Sequence, residues 1–157
     1  MTEQDGVVIR PFAPEDRALV QAFFDAMGPE TVFFFNRGEI NRKFANRFFD
    51  GTAENTAYFL AECGGQMAGY VFLWDLHTGV PWLGIAVRDD FKGHHLGRRL
   101  IAHAQAYAAA AGKGGILLST HQSNMRGQML YERMGFEAIG TEFRHELLYL
   151  WRTGSQN

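Results

Sequence analysis

The stretch that decides the fold is GIAVRDDFKGHHLGRRL, residues 84–100. It opens as a β-rich run, turns through Arg88, Asp89 and Asp90, and brings Lys92, Gly93, His94, His95 and Gly97 to the mouth of an alanine-rich helical pattern. A helix N-terminus presents unpaired N–H groups and a partial positive charge, so it binds phosphate readily. Glycine lets the backbone approach a ligand with no Cβ in the way. Lys92, Gly93 and Gly97 suit that use, and Arg98 and Arg99 add charge nearby. An ordinary strand-to-helix turn with basic surface residues fits the same letters.

Reading outward, Leu96, Leu100, Ala104, Ala108 and Ala111 recur at four- and three-residue steps, and Gly112 suits a helix C-terminus. Trp82–Arg88 before this helix and Gly115–Thr120 after it read as strands. Strand, helix and strand within about 40 residues imply a parallel pair with a right-handed crossover. Ala57–Cys63 and Gln66–Trp74 flank Gly64-Gly65, a two-residue hairpin signal. Val7–Arg10 is a short strand ended by Pro11. Ala13-Pro-Glu-Asp16 starts a helix carrying Leu19, Phe23 and Met27, and Asn36–Asp50 is a second helix carrying Ile40, Phe44 and Phe48. Asn124–Met134 is a short helix with an Asn cap, closed by Gly135. Phe136–Gly140 and Arg144–Trp151 read as the last strands. The result is an α/β (α+β) chain with 6–7 strands, one parallel pair and about four helices.

The 157 residues fit one domain, with residues 1–6 and 153–157 as loose tails. A formal charge of −2 gives no global field toward nucleic acid or anionic membrane, so any anion site is local. Cys63, the single cysteine, excludes an internal disulfide and a cysteine zinc cluster, and reads as a small buried hydrophobe. No stretch approaches the roughly 18 apolar residues of a membrane span, and the N-terminus has no signal-peptide pattern. A cytoplasmic protein without membrane, nucleic-acid or metal partners is expected. A triphosphatase loop, G-x-x-x-x-G-K-[ST], and a dinucleotide G-x-G-x-x-G are both absent.

A second constellation lies in NMRGQMLYERMGF, residues 124–136. At ~100° per residue Asn124, Gly127 and Tyr131 share one face: a polar cap, a side-chain gap and a phenol. Met125, Met129, Leu130 and Met134 supply apolar packing on the other sides. The gap beside the phenol suits a thin ligand, although a core glycine and a partly buried tyrosine account for it as well.

With residues 84–100 and 124–136 in this order and spacing, the chain resembles the GNAT superfamily of acyl-CoA-dependent N-acyltransferases. The likeness is strong over residues 57–140 and architectural before them. It implies the GNAT fold, a central mixed, mostly antiparallel sheet of 6–7 strands with a parallel splayed pair in the middle and about four helices, with acetyl-CoA as cosubstrate, no metal, and acetyl transfer to a primary amine of a small molecule or peptide by direct attack. The donor is then expected in a cleft where Trp82–Arg88 and Gly115–His121 splay apart. Its pantetheine arm pairs with the backbones of Ile85, Ala86 and Val87, and its pyrophosphate lies on Lys92, Gly93, His94, His95, Leu96, Gly97 and Arg98. Asn124 and Gly127 line the arm, and Tyr131 stands near the sulfur. Lys92 replaces the family's Arg or Gln. His95 takes its first glycine place, where helical φ/ψ would still let the N–H meet phosphate. A thiolate of pKa about 8.5 or above leaves in this reaction, and a phenol of pKa ~10 can protonate it.

Several relatives place a glutamate base on the strand that here reads WLGIAV, and this strand has no acid. Asp75 and His121 are the candidate bases, with turn initiation and a surface loop as their ordinary roles; His77 stands beside Asp75. His103 reads as solvent-facing or packed, and His145 as an unremarkable strand residue. The resemblance implies acceptor contacts at Phe33, Phe34, Phe35 and Arg37 and at roughly Glu142–His145 of the last hairpin, although a lid or a homodimer contact explains the phenylalanines equally well. The competing function is a non-catalytic acyl-CoA-binding or sensing module on the same fold.

Overall fold

The strand Gln66–Trp74 is apolar almost throughout because both of its faces are covered. Met67, Tyr70 and Phe72 enter one core; Ala68, Val71 and Leu73 enter the other. From Tyr70 to Leu73 the sides alternate with a period of two, and a bulge opposite Ala61 and Glu62 shifts Met67 and Ala68 by one position; the result is a helical layer on each side of one sheet. In this computed structural model the described residues are 6–27, 38–91, 95–142 and 144–154.

The strands are β1 (Val7–Pro11), β2 (Ala57–Cys63), β3 (Gln66–Trp74), β4 (Trp82–Val87), β5 (Gly115–Thr120), β6 (Glu137–Thr141) and β7 (Leu147–Arg152). They form a seven-stranded sheet in the order β1-β2-β3-β4-β5-β7-β6. Every neighbouring pair is antiparallel except β4 and β5. Helices α1 (Arg17–Asp25) and α2 (Gly38–Asp50) cover one face, and α3 (Leu96–Ala110) covers the other. The fourth helix, α4 (Met125–Arg133), sends Tyr131 into the α3-side core. The expected mixed sheet, central parallel pair and four helices are all present.

Local chemistry explains the joints. Gly64 and Gly65 both take positive φ, 59° and 79°, which a tight two-residue hairpin requires. Leu100, Ile101, Ala104 and Ala108 form the buried stripe of α3. Helix α1 buries Val20, Phe23 and Phe24, one position round from the expected stripe, while Leu19 and Met27 are only partly buried. The opening acids at Glu15 and Asp16 form a 3₁₀ turn, Pro14–Asp16, before α1. Cys63 is half-buried at the end of β2 rather than fully enclosed. His103 packs edge-on against Phe59 at 4.6 Å, and burial pushes its imidazole below the ordinary value.

Asp16 clamps the first strand to the α1 entry. Its two carboxylate oxygens accept from Arg10 Nη1 and Nη2 at 2.7 and 3.0 Å, and Oδ2 also accepts from Ala13 N at 2.7 Å. The Arg10 guanidinium holds the carboxyl below the usual range, with the Ala13 N–H adding to this against a partial desolvation cost. A lowered folded pKa contributes stability that is complete above the unfolded value of about 3.9, and is lost as pH falls from there through the folded value. Asp16→Asn is therefore expected to destabilise by about 2 kcal/mol at pH 7, discounted for the partly exposed Arg10. That is about 4–8 °C in melting temperature, and the gap to wild type should narrow below about pH 4.

The last strand begins later than the sequence suggests. Residues 142 and 144–146 close a turn in which Glu142 N bonds Glu146 O and His145 N bonds Glu142 O. His145 has φ 67° and is a turn residue, so β7 starts at Leu147 rather than Arg144.

Candidate active site

β4 and β5 are held together only at their beginnings. Trp82 pairs with Leu117, and Leu117 N donates to Pro81 O at 2.9 Å. Past this point β4 runs to Val87 and β5 to Thr120 with no further pairing between them among the described residues. The other edge of β4 is fully laddered to β3. A gap therefore opens in the middle of the sheet, and the β5-facing backbone groups of β4 lack a strand partner.

A cavity of about 340 Å³ occupies this gap. Its walls include Tyr70 and Trp74 from the α1/α2-side core and Leu83, Ile85, Leu118 and Tyr131 from the α3-side core. It thus passes through the sheet rather than lying on one face. Gly84 keeps it open at Trp74, where a Cβ would stand 3.0 Å from Cζ3 of the indole.

Tyr131 is 3% exposed, and its hydroxyl has no hydrogen-bond partner among the described residues. Its ring is fixed by Phe136 at 6.2 Å and Tyr149 at 6.0 Å. Burial, with Tyr149 nearby, raises the phenol well above its ordinary value, so it stays protonated. Tyr70 is raised for the same reason, with Tyr131 adding to the effect. Tyr149 is pushed up to about 12 by burial and donates to Glu132 Oε2 at 2.9 Å.

Asn124 caps α4: its Oδ1 accepts from Gly127 N at 3.1 Å and its Nδ2 donates to Thr120 Oγ1 at 3.0 Å. The space left by Gly127 is filled by this amide, because a Cβ there would lie 2.3 Å from Asn124 Nδ2. The expected gap is thus closed by the cap itself. Met125 and Met129 do not pack; they are 62% and 60% exposed.

At the start of α3, the N–H groups of Leu96, Gly97 and Arg98 meet no acceptor among the described residues, whereas Arg99 N bonds His95 O at 3.2 Å. The Leu96 side chain belongs to the core, and a Cβ on Gly97 would stand 2.9 Å from Leu130 Cδ2, so the helix start lies close against α4. Arg99 Nη2 donates to Val7 O at 3.2 Å. His95 does not take helical angles. It caps α3 in the left-handed region at φ 59°, ψ 20°, the conformation that favours glycine. The imidazole at this glycine place therefore carries backbone strain of about 1 kcal/mol. His95→Gly is expected to raise the melting temperature by about 2–4 °C, and an unchanged or lower value contradicts the strain.

Lys92, Gly93, His94, Phe33, Phe34, Phe35 and Arg37 lie outside the described residues. Ile85 lines the cavity, Val87 is half-buried, and Ala86 is buried with the α1/α2-side core. Arg98 is half-buried on α3.

The two expected bases are not among the residues lining the cavity. Asp75 is a turn former at φ 59°, its carbonyl accepting from Thr78 N and Oγ1. The His121 ring accepts from Ser123 N at 3.1 Å and organises the turn into α4. The carboxylates that do line the cavity are Glu142 and Glu146, from the β6–β7 turn. Glu142 falls in the hairpin region, roughly Glu142–His145, where the resemblance implies acceptor contacts; Glu146 lies just beyond it, and it meets the cleft only through the β5–β7 pairing.

A model of the acetyltransferase (GNAT) family matches residues 20–136 of the chain. A Bacillus subtilis protein that carries the provisional name [ribosomal protein bS18]-alanine N-acetyltransferase is 26% identical over 102 residues, covering 61% of this chain and 68% of that protein. The ribosomal-protein-S18-alanine N-acetyltransferase of Escherichia coli superposes with a TM-score of 0.71 at 18% identity, covering 96% of each chain. The PaiA N-acetyltransferase of Thermoplasma acidophilum, solved with coenzyme A, gives 0.73 at 14% identity, covering 93% of this chain and 98% of that one. At these identities the two structures speak for the fold.

Proposed function

The chain belongs to the acetyltransferase (GNAT) family of acetyl-CoA-dependent N-acetyltransferases, and we propose that the gap between β4 and β5 seats the donor while a primary amine enters from the side of the β6–β7 turn. The observation that carries this reading is the sheet's mid-line opening onto Tyr131, a buried residue whose hydroxyl has no hydrogen-bond partner among the described residues. The open edge of β4 at Ile85, Ala86 and Val87 offers backbone groups to an extended amide-bearing arm, as a strand would. The N–H groups of Leu96, Gly97 and Arg98, which meet no acceptor among the described residues, with Lys92, Gly93, His94 and His95 before them, suit a pyrophosphate. Asn124 and Gly127, whose amide and N–H are bonded to each other within the α4 cap, would act here by fixing the helix that carries Tyr131.

The chemistry asks little else of the protein. An amine nitrogen forms the new bond to the acetyl carbon, the carbon–sulfur bond breaks, and the electron pair goes to sulfur. Tyr131 gives sulfur a proton and regains one from the nitrogen. A cavity that runs through the sheet lets donor and acceptor approach from opposite ends, so no acyl-enzyme is needed. Cys63 does not line the cavity.

The acceptor class is a primary amine. Peptide α-amines come first because two matched proteins bear names of ribosomal-protein alanine acetyltransferases. The test is thiol release from acetyl-CoA on adding alanine-initiated peptides, amino acids, spermidine or aminoglycosides. Release with one class supports the reading. A rise in melting temperature with acetyl-CoA, but no release with any amine, would instead assign a binding module.

A further inference from the structure

We propose that Glu146, oriented by Ser119, is the group that takes the proton from the acceptor amine; this rests on the acetyl-transfer reading above.

The need comes from the acceptor. An α-amine of pKa about 8 is only ~3% unprotonated at pH 6.5, and a lysine-like amine far less. Nitrogen attacks only through a free lone pair, so a group in the cleft must accept the ammonium proton. β4, which forms one wall, carries no acid. The only carboxylates lining the cavity, among the described residues, are Glu142 and Glu146.

These two are not equivalent. Glu142 is committed: its carboxylate forms an ion pair with Arg144 at 2.5 Å and accepts the Arg144 N–H. Glu146 has no lysine or arginine partner among the described residues. Its Oε1 accepts a hydrogen bond from Ser119 Oγ at 3.0 Å. Ser119 sits on β5, the strand that diverges from β4, and also lines the cavity. The turn bearing Glu146 is tied down at two points. Its ends close through the Glu142 N to Glu146 O bond, and Gln122 Nε2 donates to His145 O. The same cavity is lined by Tyr131 and Tyr70, residues 3% and 1% exposed, whose hydroxyls have no hydrogen-bond partner among the described residues.

The charged and titratable groups facing Glu146 are therefore Glu142, Arg144, Tyr70 and Tyr131. Both phenols stay neutral, and Arg144 balances Glu142. Glu146 supplies the negative charge that draws an ammonium in. It takes one ammonium proton and passes it to water after turnover. The second proton that nitrogen loses replaces the one Tyr131 gives to sulfur. Ser119 is a positioning residue: it fixes the carboxylate and does not itself meet the amine.

The test compares wild type, Glu146→Gln and Ser119→Ala for kcat/KM over pH 6.5–9.5, with an alanine-initiated hexapeptide and with spermidine, alongside acetyl-CoA affinity for each protein. With the peptide, Glu146→Gln should fall about 30-fold at pH 6.5 and converge within about twofold by pH 9, where the amine is free by itself. With spermidine the convergence moves above the tested range. Ser119→Ala should show the same pH-dependent deficit, smaller. Acetyl-CoA affinity should be unchanged in both. A Glu146→Gln profile parallel to wild type at every pH, whether equal or uniformly lowered, overturns the proposal. Wild type that binds acetyl-CoA but turns over neither amine, or that does not bind it, overturns the acetyl-transfer reading and this proposal with it.

Discussion

Tyr131→Phe is expected to lower kcat about 100-fold, with acetyl-CoA affinity and melting temperature nearly unchanged. The size follows from the leaving group. A thiolate must depart from the tetrahedral carbon, and a positioned acid that protonates it contributes 10²-fold or more. The selectivity of the effect follows from the structure. The hydroxyl has no partner among the described residues, so removing it strands no buried donor or acceptor. The ring contacts to Phe136 and Tyr149 survive in phenylalanine. The melting temperature should therefore move by less than about 2 °C. Because burial holds the phenol well above its ordinary value, no loss of acid function through phenol ionisation is expected within pH 6–9. A variant that turns over at the wild-type rate would remove Tyr131 from the chemistry.

Gly97→Glu is expected to weaken coenzyme A binding at least about 100-fold. Gly97 lies in the first turn of α3, where its own N–H and those of Leu96 and Arg98 meet no acceptor among the described residues. Two like charges 4 Å apart at an effective dielectric near 20 repel by about 4 kcal/mol, which is nearly a thousandfold, and a flexible carboxylate recovers part of that by turning away. The substitution also presses on Leu130, since a Cβ at this position lies 2.9 Å from Cδ2. Gly97→Ala shares that contact without the charge, so it separates the two effects. Alanine should lose less than about tenfold in affinity, while both variants drop in melting temperature. Retained affinity in the glutamate variant would move the pyrophosphate away from this helix start.

The sheet was legible because its chemistry is local. The hairpin at Gly64-Gly65 announces itself by two residues that tolerate positive φ, and both use it. The run Gln66–Trp74 is apolar on both faces, and α3 has a four-and-three stripe of leucine and alanine. The cap of α4 was equally plain: Asn124 does what an asparagine before a helix does. Reading failed where the outcome depends on partners distant in sequence. Residues 142 and 144–146 carry no turn glycine or proline, yet His145 enters the left-handed region to close a turn. Asp75 and His121 are typical general bases by type, yet neither lines the cavity: the Asp75 backbone closes a turn, and the His121 ring accepts from Ser123 N. Glu146 reaches the cleft only because β7 pairs antiparallel with β5, with Ser119 opposite Leu148. His95 was expected to keep helical angles in the place of a glycine, and the backbone takes the glycine's left-handed conformation instead. A side chain does not change what the turn requires; it only adds strain.

The most direct measurement is the structure of the protein with coenzyme A bound. The pyrophosphate should lie on the N–H groups of Leu96, Gly97 and Arg98, the pantetheine arm should pair along Ile85–Val87, and the sulfur should stand within about 4 Å of the Tyr131 hydroxyl. Coenzyme bound elsewhere, with the gap between β4 and β5 empty or the sulfur remote from Tyr131, would contradict the account.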